Sequence, residues 1–308
     1  MRRLLFALPI ALFLVSICVL LLPKWTGQDV ASATLRARYG DLEPDAGATE
    51  ALRKELGLDA SLQRQYARFV TRALRGDLGT SFVSGRPVAP ALWSAARASG
   101  TLLAITLAIS TLGGVGFGML AALHRGKWVD RIVTSISTLA SASPEHVLGP
   151  LMVLLFAVMW RLFPSGGWGR PSTLFLPVFV LATFPFAAVT QVVRAEMIEA
   201  LQMPFVRTAK AKGLAPHHIV RHAFAVSRQG LIATTSVMVS GLLGGAFIVE
   251  NVFSIPGLGR LVLEASRASD LPMLQGGLLV GVAVAITVGF IADFVAGLAD
   301  PRIRRHDS

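Results

Sequence analysis

The chain has 308 residues, of which 53% are hydrophobic and 15% are charged, and its formal net charge is +11. Apolar residues at this level, gathered in long runs, exclude an ordinary soluble domain and indicate an integral membrane protein. The excess of basic residues therefore has to be divided between the two sides of a membrane, and it does not indicate nucleic-acid binding. The single cysteine, Cys18, excludes an intrachain disulfide and is expected to be a packing residue.

Six apolar runs come close to or exceed the roughly 20 residues that a helix needs to cross a bilayer. The run nearest the amino terminus follows Arg2 and Arg3, as in a signal peptide, but no small-residue cleavage site follows it, so we expect a retained helix. The sequence thus predicts an all-α integral membrane protein with six transmembrane helices, at about 4–22, 101–123, 131–160, 174–193, 230–250 and 274–298.

Basic residues fix the predicted orientation, because Lys and Arg next to the spans resist translocation. With both termini in the cytoplasm, the inner loops hold 14 Lys and Arg residues and the two short outer loops hold 4. We therefore expect a first transmembrane helix within 1–23, an extracytoplasmic segment at 24–100, a five-helix core at 101–298 with a cytoplasmic loop at 194–229, and a cytoplasmic tail at 299–308.

The segment at 24–100 is predicted to be helical. Its stretches "ATEALRKELGL" and "SLQRQYARFVTRALRGDLG" space apolar residues three and four apart, and Gly57, Gly76 and Gly79 interrupt them. The segment is small and highly charged, so we interpret it as an outer cap on the membrane part rather than an enzyme domain.

The third run is too long for one straight span. From Arg131 to Trp160 it would extend about 45 Å as a helix, whereas the hydrocarbon core is roughly 30 Å thick. Pro144 removes a backbone donor and is expected to break the run. Glu145 and His146 would then lie about 21 Å from the inner end, where a polar pair should face the bundle interior or a water-filled cavity.

A basic segment, "FVRTAKAKGLAPHH", separates the fourth and fifth runs. Pro204, Gly213 and Pro216 bracket it and predict a helix of about nine residues, Val206–Leu214, since proline suits a first turn and glycine a left-handed cap. On this helix the small residues Val206, Ala209 and Gly213 form a stripe that suits close contact with another surface. A loop that only fixes topology is the alternative.

Sequence motifs for catalysis are missing. The chain contains no GxxxxGK[ST], HExxH, paired CxxC or GxSxG, so we expect no catalytic residue, no cofactor and no metal in this polypeptide. His218 and His222 lie one helical turn apart without an obvious third ligand, which favours a solvated loop. Energy for any uphill movement would have to come from another subunit.

The segment "FVRTAKAKGLAPHHIVRHA" resembles the cytoplasmic coupling loop of ABC-transporter permeases of the dipeptide/oligopeptide/nickel family. Four further stretches agree with that family in order along the chain: "RRLLFALPI", "RGDLGTSF", "VENVFSIPGLGRLVLEA" and "ADPRIRR". The resemblance implies that a coupling helix docks on an ATPase through Val206, Arg207, Thr208, Ala209, Lys210, Ala211, Lys212, Gly213 and Leu214.

The resemblance also implies partners: a second homologous permease, two cytoplasmic ATPase subunits that hold ATP and Mg, and an extracytoplasmic solute-binding protein. The chain would form half of an import pathway in the bacterial cytoplasmic membrane, with lipid around it and peptides as cargo. Departures occur at Met203–Phe205, at 223–230 and at 21–29, where the residues usual in the family are absent.

Glu145 and His146 also depart from the family pattern. We interpret them as lining the translocation path, with Glu145 attracting a cationic group of the cargo. The alternatives are a mutually hydrogen-bonded pair that fixes the kink, or a third span that begins near Val147.

Asp293 lies near the carboxyl end of the last span and is expected to anchor the structure, facing protein, water or a base such as Arg194 or Arg302. Three other functions stay open at this point. They are a nickel or metal-chelate importer of the same family, an ion-coupled secondary transporter that uses Glu145, His146 and Asp293, and a scaffold whose basic loop recruits a partner.

Overall fold

The computed structural model describes residues 2–27, 29–40 and 45–299, and within these ranges the side chains of residues 2–7, 26, 293, 296, 298 and 299 are outside the description. In the described chain, helices are joined by turns and loops, and one isolated β-bridge links Thr80 and Pro87. Its helices are α1 (Arg2–Thr26), α2 (Val30–Tyr39), α3 (Ala46–Glu55), α4 (Leu62–Ala73), α5 (Val88–Leu123), α6 (Trp128–Ser141), α7 (Glu145–Met152), α8 (Pro171–Ala200), α9 (Pro204–Ala211), α10 (Pro216–Val252), α11 (Leu258–Arg267) and α12 (Leu271–Ala299).

Five of these helices are long and apolar enough to cross a membrane: α1, α5, α8, α10 and α12. The pair formed by α6 and α7 passes the same test together, and counting it as one span gives six. This confirms the predicted all-α membrane fold.

The helix that contains the second predicted span begins before that span. It starts at Val88, whereas the predicted apolar run starts at residue 101. Val88, Leu92 and Ala95 are almost fully buried, and their spacing of three to four residues gives the amphipathic stripe of a helix that packs against protein. The hydropathy of 88–100 is too low to resemble a span, so the early start was missed.

One compact unit combines Met1–Gly100 with Ser254–Thr287. The predicted helical stretches of the outer segment correspond to α3 and α4, while α2 was not predicted. A buried carboxylate organises this unit, since Asp270 accepts hydrogen bonds from the Ser81 hydroxyl and, at 3.0 Å, from the Phe82 amide. The stretch "RGDLGTSF" is thereby tied to the start of α12.

The second compact unit consists of Thr101–Phe253 and Val288–Ser308. Here α5 packs closely against α8, because a Cβ placed on Gly118 would lie 2.7 Å from the Thr190 carbonyl oxygen. Gly114 is equally tight against Val189. The glycine pair on α5 therefore serves packing within the chain, in the way that small residues allow membrane helices to approach.

The third predicted span is broken at Pro144, as expected. α6 ends at Ser141, α7 begins at Glu145, and the two helices are bent by 103°. Pro144 has no N–H to continue the ladder, and its ψ of 140° is extended. The run is therefore two helices, and the predicted depth of Glu145 and His146, counted along α6, stays a prediction. A π-helical stretch, Val153–Met159, continues α7.

The outer surfaces of the spans are apolar. On α1, Ile10, Phe13 and Leu14 are more than half exposed, as a surface in contact with lipid requires. Cys18 is also exposed, so the expectation that it is a packing residue is not met within the described part of this chain.

Candidate functional site

The basic loop contains the predicted short helix, displaced by a few residues. It begins at Pro204, whose missing N–H costs nothing in a first turn, and ends at Ala211. Gly213 has φ +74°, its N–H donates to the Lys210 carbonyl at 3.0 Å, and the Leu214 N–H donates to the Ala209 carbonyl at 3.1 Å. These bonds form a Schellman cap, so the last predicted helical residues form the cap instead of another turn.

The predicted stripe of small residues differs in exposure along its length. Val206 is 3% exposed and Ala209 is partly buried, and α9 packs against α10. Val206 therefore already packs within the chain, whereas Gly213 is exposed, and the contact of this stripe with a partner stays a prediction. The opposite face, which carries Arg207, Thr208 and Ala211, is exposed.

An ion pair that the sequence did not indicate holds the helix leading to α9. The Arg194 guanidinium on α8 donates through Nε and Nη2 to the two carboxylate oxygens of Asp130 on α6, at 2.5 and 2.8 Å. Asp130 also accepts from the Gly126 amide at 2.9 Å. The Asp130 side chain is 6% exposed and that of Arg194 is 29% exposed, so the pair is largely shielded from water.

Arg194 was one of two bases expected near Asp293, but its partner is Asp130. Asp293 belongs to α12, and its side chain is among those outside the described residues. The second base, Arg302, also lies outside them.

Glu145 and His146 are neighbours at the start of α7, but their side chains lie in different surroundings. Glu145 is half-buried, and its side chain faces a cavity of about 380 Å³. His146 is exposed and is not among the residues that line this cavity. The cavity is lined by Ser141, Ala142, Ser143, Pro144, Glu145, Phe184, Pro185, Val237, Met238, Gly241 and Leu242.

Glycines on α10 make room for the Glu145 side chain. A Cβ placed on Gly245 would lie 2.8 Å from Glu145 Oε1, and one placed on Gly241 would meet open space. Among the described residues, the Glu145 carboxylate makes no hydrogen bond or ion pair, which differs from the predicted alternative of a bonded Glu145–His146 pair. The acid is therefore held at a cavity without a partner from the chain.

The histidines after the basic loop form no metal site in the described part of the chain, where no three His, Cys, Asp or Glu side chains come together. The rings of His217 and His218 lie 4.1 Å apart at the start of α10.

Fold and site together define a polytopic membrane subunit that carries a short, basic helix between two spans and an open cavity lined by α6, α7, α8 and α10. The family described as "Binding-protein-dependent transport system inner membrane component" matches residues 114–305. The chain belongs to this family. It is therefore a permease subunit of ABC importers rather than an enzyme, and the ATPase is a separate subunit. Members are inner-membrane proteins in bacteria.

Two relatives resemble the chain over most of its length. The dipeptide transport system permease protein of Bacillus subtilis (strain 168) is 32% identical over 268 residues, which cover 85% of this chain and 87% of the relative. The glutathione transport system permease protein of Escherichia coli O6:H1 is 31% identical over 304 residues, covering 98% and 97%.

A solved structure shares the fold. One chain of the inward-facing methionine ABC transporter MetNI aligns with a TM-score of 0.53 at 20% identity, covering 68% of this chain and 98% of that chain. Another crystal form of the same transporter aligns with a TM-score of 0.56 at 16% identity. At these identities the likeness concerns the fold alone.

Proposed function

We propose that the chain forms half of the pathway by which an ATP-driven importer carries peptides across the cytoplasmic membrane. Support for the cargo comes from two relatives named for transport of a dipeptide and of glutathione, which is itself a short peptide. Family membership favours this proposal over an ion-coupled transporter or a scaffold. A nickel or metal-chelate cargo has no matching metal-ligand cluster among the described residues.

The proposed assembly contains this permease, a second homologous permease, two cytoplasmic ATPase subunits with ATP and Mg, and an extracytoplasmic solute-binding protein. The distribution of basic residues supports a cytoplasmic position for both termini and for α9. Alternating access would then follow as ATP binding and hydrolysis move α9 and the bundle behind it.

We assign ATPase docking to α9 and its cap, with a different role for each face. Val206 anchors the helix on its own chain, because it is almost fully buried. Arg207, Thr208 and Ala211 are exposed and form the surface for the ATPase, with Lys210 and Lys212 at its sides. Two observations support rigid-body coupling: the helix is short with a Schellman cap at its carboxyl end, and it packs directly on α10.

Glu145 stays assigned to the translocation path because it lines the cavity between α6, α8 and α10. His146 is a weaker candidate, since its side chain is exposed away from that cavity. On sequence grounds, we keep Asp293 as an anchor near the cytoplasmic end of α12.

Ala211→Trp tests the docking face. It adds a large side chain on the exposed side of α9 without entering the contact with α10. We expect the variant to insert and purify normally but to lose its ATPase subunit on co-purification, and to lose at least about tenfold in ATP-dependent dipeptide uptake, since a bulky group in a tightly packed interface is not accommodated.

Ala51→Trp is the matched control, because Ala51 is an exposed helical alanine in the predicted extracytoplasmic segment. It should retain the ATPase subunit. If Ala211→Trp retains the subunit and full uptake, α9 does not dock through this face. If wild-type proteoliposomes take up dipeptide on a proton gradient alone, without ATP, the importer proposal itself is wrong.

A further inference from the structure

The cavity beside the break between α6 and α7 has an acidic lining. Of the eleven residues that line it, Glu145 is the only ionisable one. Its carboxylate has no hydrogen bond or ion pair with the described residues, and it points at the cavity from the first position of α7. An ionised carboxylate inside a membrane bundle is costly unless water or a cation reaches it.

The two serines at the cavity add acceptors rather than donors. The Ser141 hydroxyl donates to the Thr138 carbonyl at 2.9 Å, and the Ser143 hydroxyl donates to the Leu139 carbonyl at 2.8 Å. Each hydroxyl has one hydrogen, so both oxygens can offer only lone pairs to a guest. The polar side-chain atoms of the lining are therefore three groups of acceptors, one of them negatively charged.

The two helix ends at the cavity carry opposite partial charges. Ser141 closes α6 at its negative carbonyl end, and Glu145 stands at the positive amino end of α7, so the Glu145 carboxylate sets the net charge of the lining. A guest that carries only donors and a positive charge matches this lining, and a primary ammonium, with three N–H donors and no acceptor, is such a group. A carboxylate or phosphate would face repulsion from Glu145 and unpaired acceptors.

The rest of the lining is apolar. Phe184, Pro185, Val237, Met238 and Leu242 surround the acceptors, so the cavity suits an amine attached to an apolar body. Its volume of about 380 Å³ lies in the range of small-molecule sites, which is roughly 300–1,000 Å³.

We propose that Glu145, with the Ser141 and Ser143 oxygens, forms a binding subsite for the primary ammonium of the cargo. For a peptide this group is the terminal amine next to its first side chain, which the apolar wall would accept. The identity of the cargo rests on the proposed function, but the existence of the ammonium site does not. His146 has no part in the subsite.

Charged thiol reagents test the subsite in the reconstituted transporter. We place a cysteine at Ala142, a lining residue that contributes no acceptor side chain, in a Cys18→Ala background. The reaction rates of cationic trimethylammonioethyl methanethiosulfonate and anionic sulfonatoethyl methanethiosulfonate are compared at low ionic strength, with and without ATP. Glu145→Gln should lower the cation-to-anion rate ratio by about tenfold, because it removes one nearby charge from a poorly screened cavity.

His146→Gln is the matched control and should leave the ratio within about twofold of its starting value, since that side chain is outside the cavity. A second measurement separates an ammonium site from a simple negative field. n-Butylammonium should slow modification of the cysteine at 142 by a neutral maleimide, whereas n-butanol and tetramethylammonium, which lack the charge or the donors, should not. The protection should disappear in Glu145→Gln.

The proposal is overturned if neither reagent reaches the cysteine at 142 in either nucleotide state. It is also overturned if Glu145→Gln leaves the cation-to-anion rate ratio unchanged, or if His146→Gln changes that ratio equally. Protection of the cysteine by tetramethylammonium as strong as that by n-butylammonium would overturn it as well. A failure of ATP-driven uptake would refute the proposed function while leaving these rates able to report the ammonium site, so the two failures can be told apart.

Discussion

The ion pair between Asp130 and Arg194 should be a main determinant of stability in the second compact unit. Arg194→Met would leave the Asp130 carboxylate, 6% exposed, with only the Gly126 amide at 2.9 Å and the Thr134 hydroxyl at 3.5 Å. Asp130→Asn would leave a guanidinium that is 29% exposed and can regain water, and the amide oxygen can still accept a hydrogen bond.

The two single substitutions should therefore be unequal. Removing one partner of a buried pair costs about 3–5 kcal/mol, and we expect Arg194→Met at the lower end of that range. For Asp130→Asn we expect about 2 kcal/mol, because the remaining charge is partly hydrated. At roughly 2 °C per kcal/mol for a chain of this size, the midpoints should fall by about 6 °C and 4 °C.

Thermal unfolding of the purified protein, followed by size-exclusion fluorescence, measures these shifts. The double variant Asp130→Leu with Arg194→Met is the decisive control. It should recover most of the loss, because replacing both charges by apolar groups of similar volume removes the penalty of the unpaired charge. Single variants within 1 °C of wild type, or a double variant as unstable as the sum of the singles, would refute this account.

Two further substitutions test local features of the fold. Gly118→Leu should lower the unfolding midpoint strongly, since its Cβ alone would lie 2.7 Å from the Thr190 carbonyl oxygen. Gly116→Leu should change the midpoint little, because a Cβ there meets nothing within 4 Å. Equal midpoints for the two variants would contradict the close contact of α5 and α8. Gly213→Ala should weaken the α9 cap by about 1 kcal/mol because φ is +74°, and Gly213→Asn by less; protease nicking of the loop should rank the variants in that order, and cutting at the wild-type rate in both would argue against the left-handed cap.

Local sequence signals predicted the features that depend on a few neighbouring residues. Hydropathy located the five long apolar helices and the bent pair of α6 and α7, Pro144 marked the break in the third run, and Gly213 marked the left-handed cap. In each case the physical cause lies within a turn or two of the residue itself. A missing amide hydrogen, a positive φ or a run of apolar side chains determines the local structure without contacts to distant residues.

Features that depend on distant residues were not predictable in this way. Asp130 and Arg194 meet although no pattern links them, and only the packing of α6 against α8 brings them together. The orientation of α9 followed the contact with α10 rather than the size of its side chains, so Val206 turned inward. The cavity at Glu145 required the sharp bend between α6 and α7, whose angle a single proline does not determine.

Two acids near the ends of α6 differ in their partners within the chain. This difference distinguishes a charge that stabilises the fold from a charge that is available to a ligand. Asp130, at the start, receives a bidentate guanidinium and a backbone amide, so its charge is neutralised within the chain and a guest would have to displace these donors. Glu145, just beyond the end, has a cavity in front of it and receives nothing from the described residues. A charge that the fold leaves uncompensated in a bundle costs stability. A protein can keep an unpaired charge of this kind when a ligand supplies the partner. In an importer, the transported molecule can supply that partner group.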